Sequence, residues 1–297
     1  MILPNLKHLH YLLMLHKHQH FHRAAEACFV SQSTLSSAIF KLEQQLDCQL
    51  LERDHKTFIF TAIGEQVVVL AQQLLVSSTE LVDFAKSQGD ALSGSIKIGC
   101  IPTIAPFLLT DLIGQSRQLL PNLSLYIRED TTENLLSQLA NGELDTVILA
   151  LPIPQHAFIS ETLGKDHFYI AGEQSLVEQF LHHQNFEKMP TQSTFLLTKE
   201  HCLTDHTISA CNIENKAIIN SFSPSSLASL VQMTAFQQGI TFLPEMAVKK
   251  GLGKAEGLTI KKLQQHKFRE IGMLWRASST RQPTYKALAN IIKPILS

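Results

Sequence analysis

Two cysteines, Cys202 and Cys211, stand nine residues apart in the stretch LLTKEHCLTDHTISAC, with His201 beside the first and Asp205 three residues after it. A thiolate attacks a peroxide where a thiol does not. A neighbouring imidazole or guanidinium that favours the charged form makes one cysteine far more reactive than the rest. Oxidation to sulfenic acid then calls for a second thiol, which turns the labile product into a reversible disulfide. If the stretch is helical, positions nine apart lie about 13 Å apart along the axis, whereas disulfide Cα atoms approach to roughly 6 Å. Bond formation would remodel such a segment, which is the chemistry of a switch. The other reading is that both are small apolar core fillers, the usual fate of free cysteine. Cys28, Cys48 and Cys100, each within an apolar pattern, fit that description.

Composition bounds what could position such a pair. A chain of 297 residues, 44% of them hydrophobic, suggests two or three units that each bury a core. The first apolar stretch is broken by Lys7, His8 and His10 and has no small-residue cleavage site. No run reaches the roughly 18 apolar residues of a membrane span, so a soluble cytoplasmic protein with no membrane contact is expected. There, an odd count of five cysteines argues against a stapled framework. The net charge of −1 gives no general pull toward nucleic acid, so any DNA contact must come from local basic groups and oligomerisation.

Apolar residues at helical spacing predict a helix from Leu6 to about Lys17, and a short one follows from Phe21 to Cys28. Ser31 then reads as the N-cap of a third helix whose stripe is Leu35, Ile39, Leu42 and Leu46. This leaves Gln32, Ser33, Thr34, Ser36, Ser37 and Lys41 for solvent or the first turn, the pattern of a helix-turn-helix whose second helix enters a major groove. Leu50 to Glu52 and Phe58 to Thr61 can pair as a wing, placing Arg53 and Lys56 near phosphates. From Ala62 to about Ala91 the residues Val67, Leu70, Leu74, Ser77, Leu81 and Phe84 make a 3-4 seam that pairs with a second copy or lies on its own domain.

After Ser93 and Gly94 the pattern becomes α/β. Strands are expected at 95–101, 123–128 and 145–151, alternating with helices near 106–119 and 132–144 and running parallel. Further strands are expected at 167–171, 194–198, 216–220, 240–243 and 270–276, with helices at 225–238 and 283–296. The chain would enter a second lobe after about Gln155 and return near Ile240, leaving a cleft at the strand ends. The domains expected are 1–61, 62–92 and 93–297.

The segment AAEACFVSQSTLSSAIFKLEQQLDCQLLERDHKTFIFTAIG resembles the DNA-binding domain of LysR-type transcriptional regulators. IPTIAPFLLTDLI, LANGELDTVILAL, HCLTDHTISAC and GITFLPEMAV look like the peroxide-sensing branch of that family. The resemblance implies an N-terminal winged helix-turn-helix, a long linker helix and a two-lobed α/β effector domain like a periplasmic binding protein. It also implies a homotetramer that binds double-stranded promoter DNA, answers hydrogen peroxide, works with RNA polymerase, activates antioxidant genes, and is neither an enzyme nor in need of a cofactor. By the same resemblance Cys202 is the peroxide-reacting cysteine and Cys211 its resolving partner, flanked by His201 and Asp205. Thr103 and Thr132 supply pocket hydroxyls, and Arg269 stabilises the thiolate. Ser33 stands where the family has proline and Phe40 where a basic residue is common, which touches DNA affinity or target choice.

Two competing readings remain at this level: a LysR-type regulator with a small organic effector in the interlobe cleft, and a thiol peroxidase, which would have no use for the winged helix. His16 with His20 and His18 with His22 have the i, i+4 spacing of metal ligands, but they span a helix break and no metal is expected. In the switching reading, oxidation refolds about His201 to Ser221 and rotates subunits.

Overall fold

A computed structural model of the chain describes residues 3–54, 57–86, 90, 92–153, 158–183, 189–263 and 267–296. It contains two compact units, Met1–Gly89 and Asp90–Ser297.

In the first unit the order is α1 (Leu6–His18), α2 (Phe21–Ala27), α3 (Gln32–Leu46), β1 (Leu51–Arg53), β2 (Phe58–Phe60) and α4 (Ala62–Lys86). Ser31 caps α3 by accepting the Thr34 N–H at 3.1 Å. Leu35, Ile39 and Leu42 are fully buried against Leu9, Leu12 and Leu15 of α1. Leu46, expected on the same stripe, is 36% exposed: it sits on the last turn, where Asp47 leaves the helix at φ 50°. The strands β1 and β2 pair antiparallel with Leu51 opposite Phe60, forming the wing, while Lys56 at its tip lies outside the described residues. A Cβ on Gly64 would stand 2.2 Å from the Leu50 carbonyl oxygen, so α4 can pass this close only on glycine. Val68 and Ala71 of α4 pack into the core of this unit, whereas the seam residues Leu70, Leu74, Leu81 and Phe84 are each at least half exposed.

The second unit is built on a sheet of order β4-β3-β5-β9-β6-β7, with β8 also paired to β6. Its strands are β3 (Gly94–Cys100), β4 (Leu123–Glu129), β5 (Thr146–Leu151), β6 (Phe158–Gly172), β7 (Ile240–Pro244), β8 (Thr259–Lys262) and β9 (Phe268–Arg276). Its helices are α5 (Ala105–Leu119), α6 (Thr132–Ala140), α7 (Gln174–His183), α8 (Cys202–Cys211), α9 (Leu227–Phe236), α10 (Glu245–Lys249) and α11 (Gln282–Leu296). The pairs β3–β4 and β3–β5 are parallel as expected, but β9 is antiparallel to both β5 and β6, and β6 is antiparallel to β7 and β8.

Two cores result. One gathers Ile96, Ile98, Leu108, Leu135, Val147 and Trp275, and the other Phe168, Phe195, Leu203, Leu230 and Phe242. The crossing differs from the expected one. The fifteen residues of β6 pair with β9 over their first part and with β7 and β8 over the rest, so the chain returns to the first lobe along β9, after Ile240 and the whole of β7. Residues 194–198 and 216–220 are not strands: Thr194 makes single bridges to Ile219 and Ile240, and Lys216–Ile218 is a 3-10 turn.

Candidate functional site

Local sequence sets α8 down between the lobes. Thr204 and Thr207 are buried on it, and the Thr204 hydroxyl donates to the Leu197 carbonyl at 2.8 Å, tying the first turn to a connection buried in the second core. His201 is the N-cap with extended backbone but makes no side-chain cap, so Cys202, the first helical residue, sits at an end whose N–H groups no side chain satisfies. Such an end favours negative charge. At the other end Asn212 turns left-handed at φ 52° and closes the helix.

Around Cys202 lies a pocket of about 170 Å³ lined by Ile101, Pro102, Thr103, Thr131, Thr132, Glu200 and His201. That figure includes space open to solvent: in this closed form the pocket leaves no room for a water-sized molecule, so any small molecule enters only as its lining shifts. Thr103 sits in the turn between β3 and α5, and Thr132 is the first residue of α6. The Thr132 hydroxyl is enclosed and, among the described residues, has no hydrogen-bond partner. A buried hydroxyl without a partner is costly, and here it is one of the groups around the thiol.

Arg269 builds the layer behind. It lies on β9 opposite Asp166 of β6, and both side chains are almost wholly buried. Its Nε donates to Asp166 Oδ2 at 3.0 Å, Nη1 to the Thr103 hydroxyl at 2.8 Å and Nη2 to the Thr103 carbonyl at 3.0 Å. With its oxygen accepting from a guanidinium, the Thr103 hydroxyl keeps its own proton free to donate. Arg269 therefore reaches the pocket through Thr103.

The two sulfurs face different surroundings. Nine residues are about two and a half turns, so they emerge on opposite sides of α8. Half-buried Cys202 packs against the first core, and Cys211 is buried in the second. Burial pushes the Cys211 thiol up to about 12, with Lys267 pulling weakly the other way. Both cysteines are free thiols in this state. Of the expected pocket residues, Thr103, Thr132, His201 and Cys202 come together, while Asp205 is exposed and lines no part of the pocket. Beside it, His206 is held below its ordinary value by burial and then by Arg269, with Asp205 opposing. Sequence reasoning did not single out Thr131 or Glu200. Their signal was adjacency to Thr132 and His201.

On the first unit Gln32, Ser33, Thr34, Ser37 and Lys41 are exposed on α3. Arg53 is engaged: it pairs with Glu43 at 3.2 Å, donates to the Ser36 hydroxyl at 3.4 Å and stands over the Phe21 ring. His16 bonds Glu65 at 2.9 Å and His22 lies 3.3 Å from Glu26. Among the described residues no group of three His, Cys, Asp or Glu could hold a metal, and no helix is long and apolar enough to cross a membrane.

Comparison with known proteins agrees across both units. Residues 6–65 match the bacterial regulatory helix-turn-helix protein, lysR family, and residues 89–296 match the LysR substrate binding domain. The regulator EstR of Acinetobacter baylyi is 34% identical over 294 residues, covering 99% of this chain and 97% of that protein. The DNA-binding transcriptional dual regulator OxyR of Escherichia coli is 35% identical, covering 97% and 95%. The reduced regulatory domain of OxyR2 from Vibrio vulnificus superposes with a TM-score of 0.66 at 44% identity, covering 70% of this chain and 98% of that one. A full-length OxyR variant from Pseudomonas aeruginosa gives 0.70 at 30% identity, covering 98% of both.

Proposed function

The chain belongs to the LysR family of transcriptional regulators, DNA-binding proteins rather than enzymes, and from that premise we propose that it senses hydrogen peroxide through a reversible Cys202–Cys211 disulfide. The observation that carries this reading is Cys202 at an uncapped helix end, in a closed pocket edged by the Thr103 and Thr132 hydroxyls and His201. The Cys202 sulfur attacks one peroxide oxygen, an S–O bond forms, the O–O bond breaks, and hydroxide leaves to be protonated to water. Hydroxyl donors at the pocket wall stabilise the charge that develops on that leaving oxygen. Cys211 then attacks the sulfenic sulfur, the S–S bond forms and a second water leaves. Overall two thiols and one peroxide give a disulfide and two waters, and a dithiol reductant resets the pair.

The second step cannot proceed on the helix as it stands. It requires α8 to unwind and Cys211 to leave the second core, and that rearrangement is how oxidation reaches the rest of the protein. The exposed seam of α4 supports pairing of two chains, which would set two α3 helices on successive half-sites of double-stranded promoter DNA. Further pairing through the effector domains would complete a homotetramer that works with RNA polymerase in the cytoplasm to activate antioxidant genes.

The competing reading is a small organic effector, and the second pocket, lined by Phe107, Lys165, Asp166, Met246 and Leu296 among others, has only about 50 Å³ open to a water-sized molecule, too little for one without rearrangement. Footprinting on antioxidant promoters, with reduced and peroxide-treated protein side by side, separates the two. The sensor reading expects the protected region to change on oxidation and to revert with dithiothreitol. An unchanged footprint, altered only by a small organic molecule, favours the effector.

A further inference from the structure

A groove of about 450 Å³ runs between α1 and α3, on the side where α3 presents Ser33, Ser37 and Lys41. Lys7, His8 and Tyr11 of α1 form its other wall, and among the described residues no carboxylate lines it. Its side chains are cations and hydrogen-bond donors, which calls for an anion. Lying along the exposed face of the reading helix, it is placed for a phosphate of the DNA backbone.

His8 is the unusual member. Its Nδ1 is shut away from solvent with no hydrogen-bond partner among the described residues. The charges facing it are Lys7 on its own helix and Lys41 across the groove, with the Tyr11 hydroxyl alongside. Burial first, and then Lys41, hold its titration below the ordinary 6.5, so both favour the neutral ring while the groove is empty. A phosphate entering the groove reverses the sign of the local field and favours the imidazolium.

We propose that His8 contacts a DNA phosphate alongside Lys7 and Lys41 and takes up a proton as it does so, so that acidification tightens DNA binding by this protein. The sign follows from linkage. The ring gains a proton on binding between its free and bound titration points, so affinity rises as pH falls through that window, by at most about tenfold per pH unit. The inference rests on DNA binding, which family membership supplies, and not on peroxide sensing.

The test is fluorescence anisotropy of the full-length, thiol-reduced chain on a labelled mixed-sequence duplex, from about pH 7.5 to about pH 6 at fixed ionic strength. Wild type gains severalfold in affinity. His8→Gln loses that part of the gain, and His8→Lys binds tightly at both ends of the range with the same flattened profile. Lys41→Gln lowers the slope of log affinity against log salt by about 0.9, the value of one phosphate. Circular dichroism melts of the variants establish that the unit is folded. A His8→Gln protein that keeps the full wild-type gain overturns the proposal, as does a His8→Lys protein whose pH profile matches wild type. Because the protein stays reduced throughout, failure of the thiol switch leaves this result unaffected.

Discussion

Replacing Thr132 by valine separates a group kept for reactivity from one kept for stability. The Thr132 hydroxyl is enclosed beside Cys202 and has no hydrogen-bond partner among the described residues. Leaving a buried hydroxyl unpartnered costs on the order of 1–3 kcal/mol, and valine fills the same shape without it. The Thr131 side chain caps α6, accepting the Asn134 N–H, so the helix start is untouched. Thr132→Val should therefore leave the melting temperature unchanged or raise it, by roughly 2–4 °C for each kcal/mol regained in a domain of this size. Reactivity should move the other way. If the hydroxyl donates to the oxygen that leaves from peroxide, its loss removes about 1–3 kcal/mol from the transition state, which slows sulfenic acid formation roughly 5- to 160-fold. Stopped-flow oxidation of the reduced protein, with Cys211→Ser in both arms to isolate the first step, reads the rate, and calorimetry reads the stability. A variant that loses stability while reacting at the wild-type rate would refute the reasoning, because the hydroxyl would then be structural.

Three further outcomes follow from the same geometry. Cys211 has a folded titration point near 12 against an ordinary 9.0, so the fold holds the neutral thiol. Its contribution to stability is intact below pH 9 and is lost at about 1.4 kcal/mol per pH unit as pH rises toward 12, and urea unfolding of reduced Cys211→Ala should lack that component. Asp166→Asn leaves the buried Arg269 charge without its partner and should cost about 3–5 kcal/mol in denaturant unfolding, together with peroxide reactivity through the loosened Thr103. Leu74→Glu with Leu81→Glu changes residues that are 50% and 67% exposed, so unfolding stability of the isolated chain should shift little, while sedimentation shows one step of assembly lost. Unchanged mass would count against the α4 seam as an interface.

Where the sequence was legible, local rules and tertiary packing agreed. Ser31 signals the start of α3, Leu35, Ile39 and Leu42 signal its buried face, and the two-faced apolar pattern of α4 exceeds what its own unit can cover. The Cys202, His201, Thr103 and Thr132 grouping was legible only through family resemblance, because the residues come from three separate stretches of chain. What resisted reading was long-range pairing. The first half of β6 carries exposed and half-exposed residues such as Ile159, Ser160 and Glu161, and only its partner β9, more than a hundred residues later, makes it a strand. Conversely, the residues around Phe195 and Leu197 have strand-like composition but are buried as a connection, bridged only at Thr194. Asp205 shares the side of α8 that carries Cys202 but lies one turn further along the helix, where it is exposed and lines no part of the pocket.

The most direct test is peptide mapping of the reduced protein after a single equivalent of hydrogen peroxide, with free thiols alkylated before reduction. A peroxide sensor of this kind yields a peptide pair joined through Cys202 and Cys211, with Cys28, Cys48 and Cys100 still alkylated and the link absent in Cys202→Ser. Recovery of Cys202 as a free thiol to the same extent as Cys28 and Cys48 would contradict it.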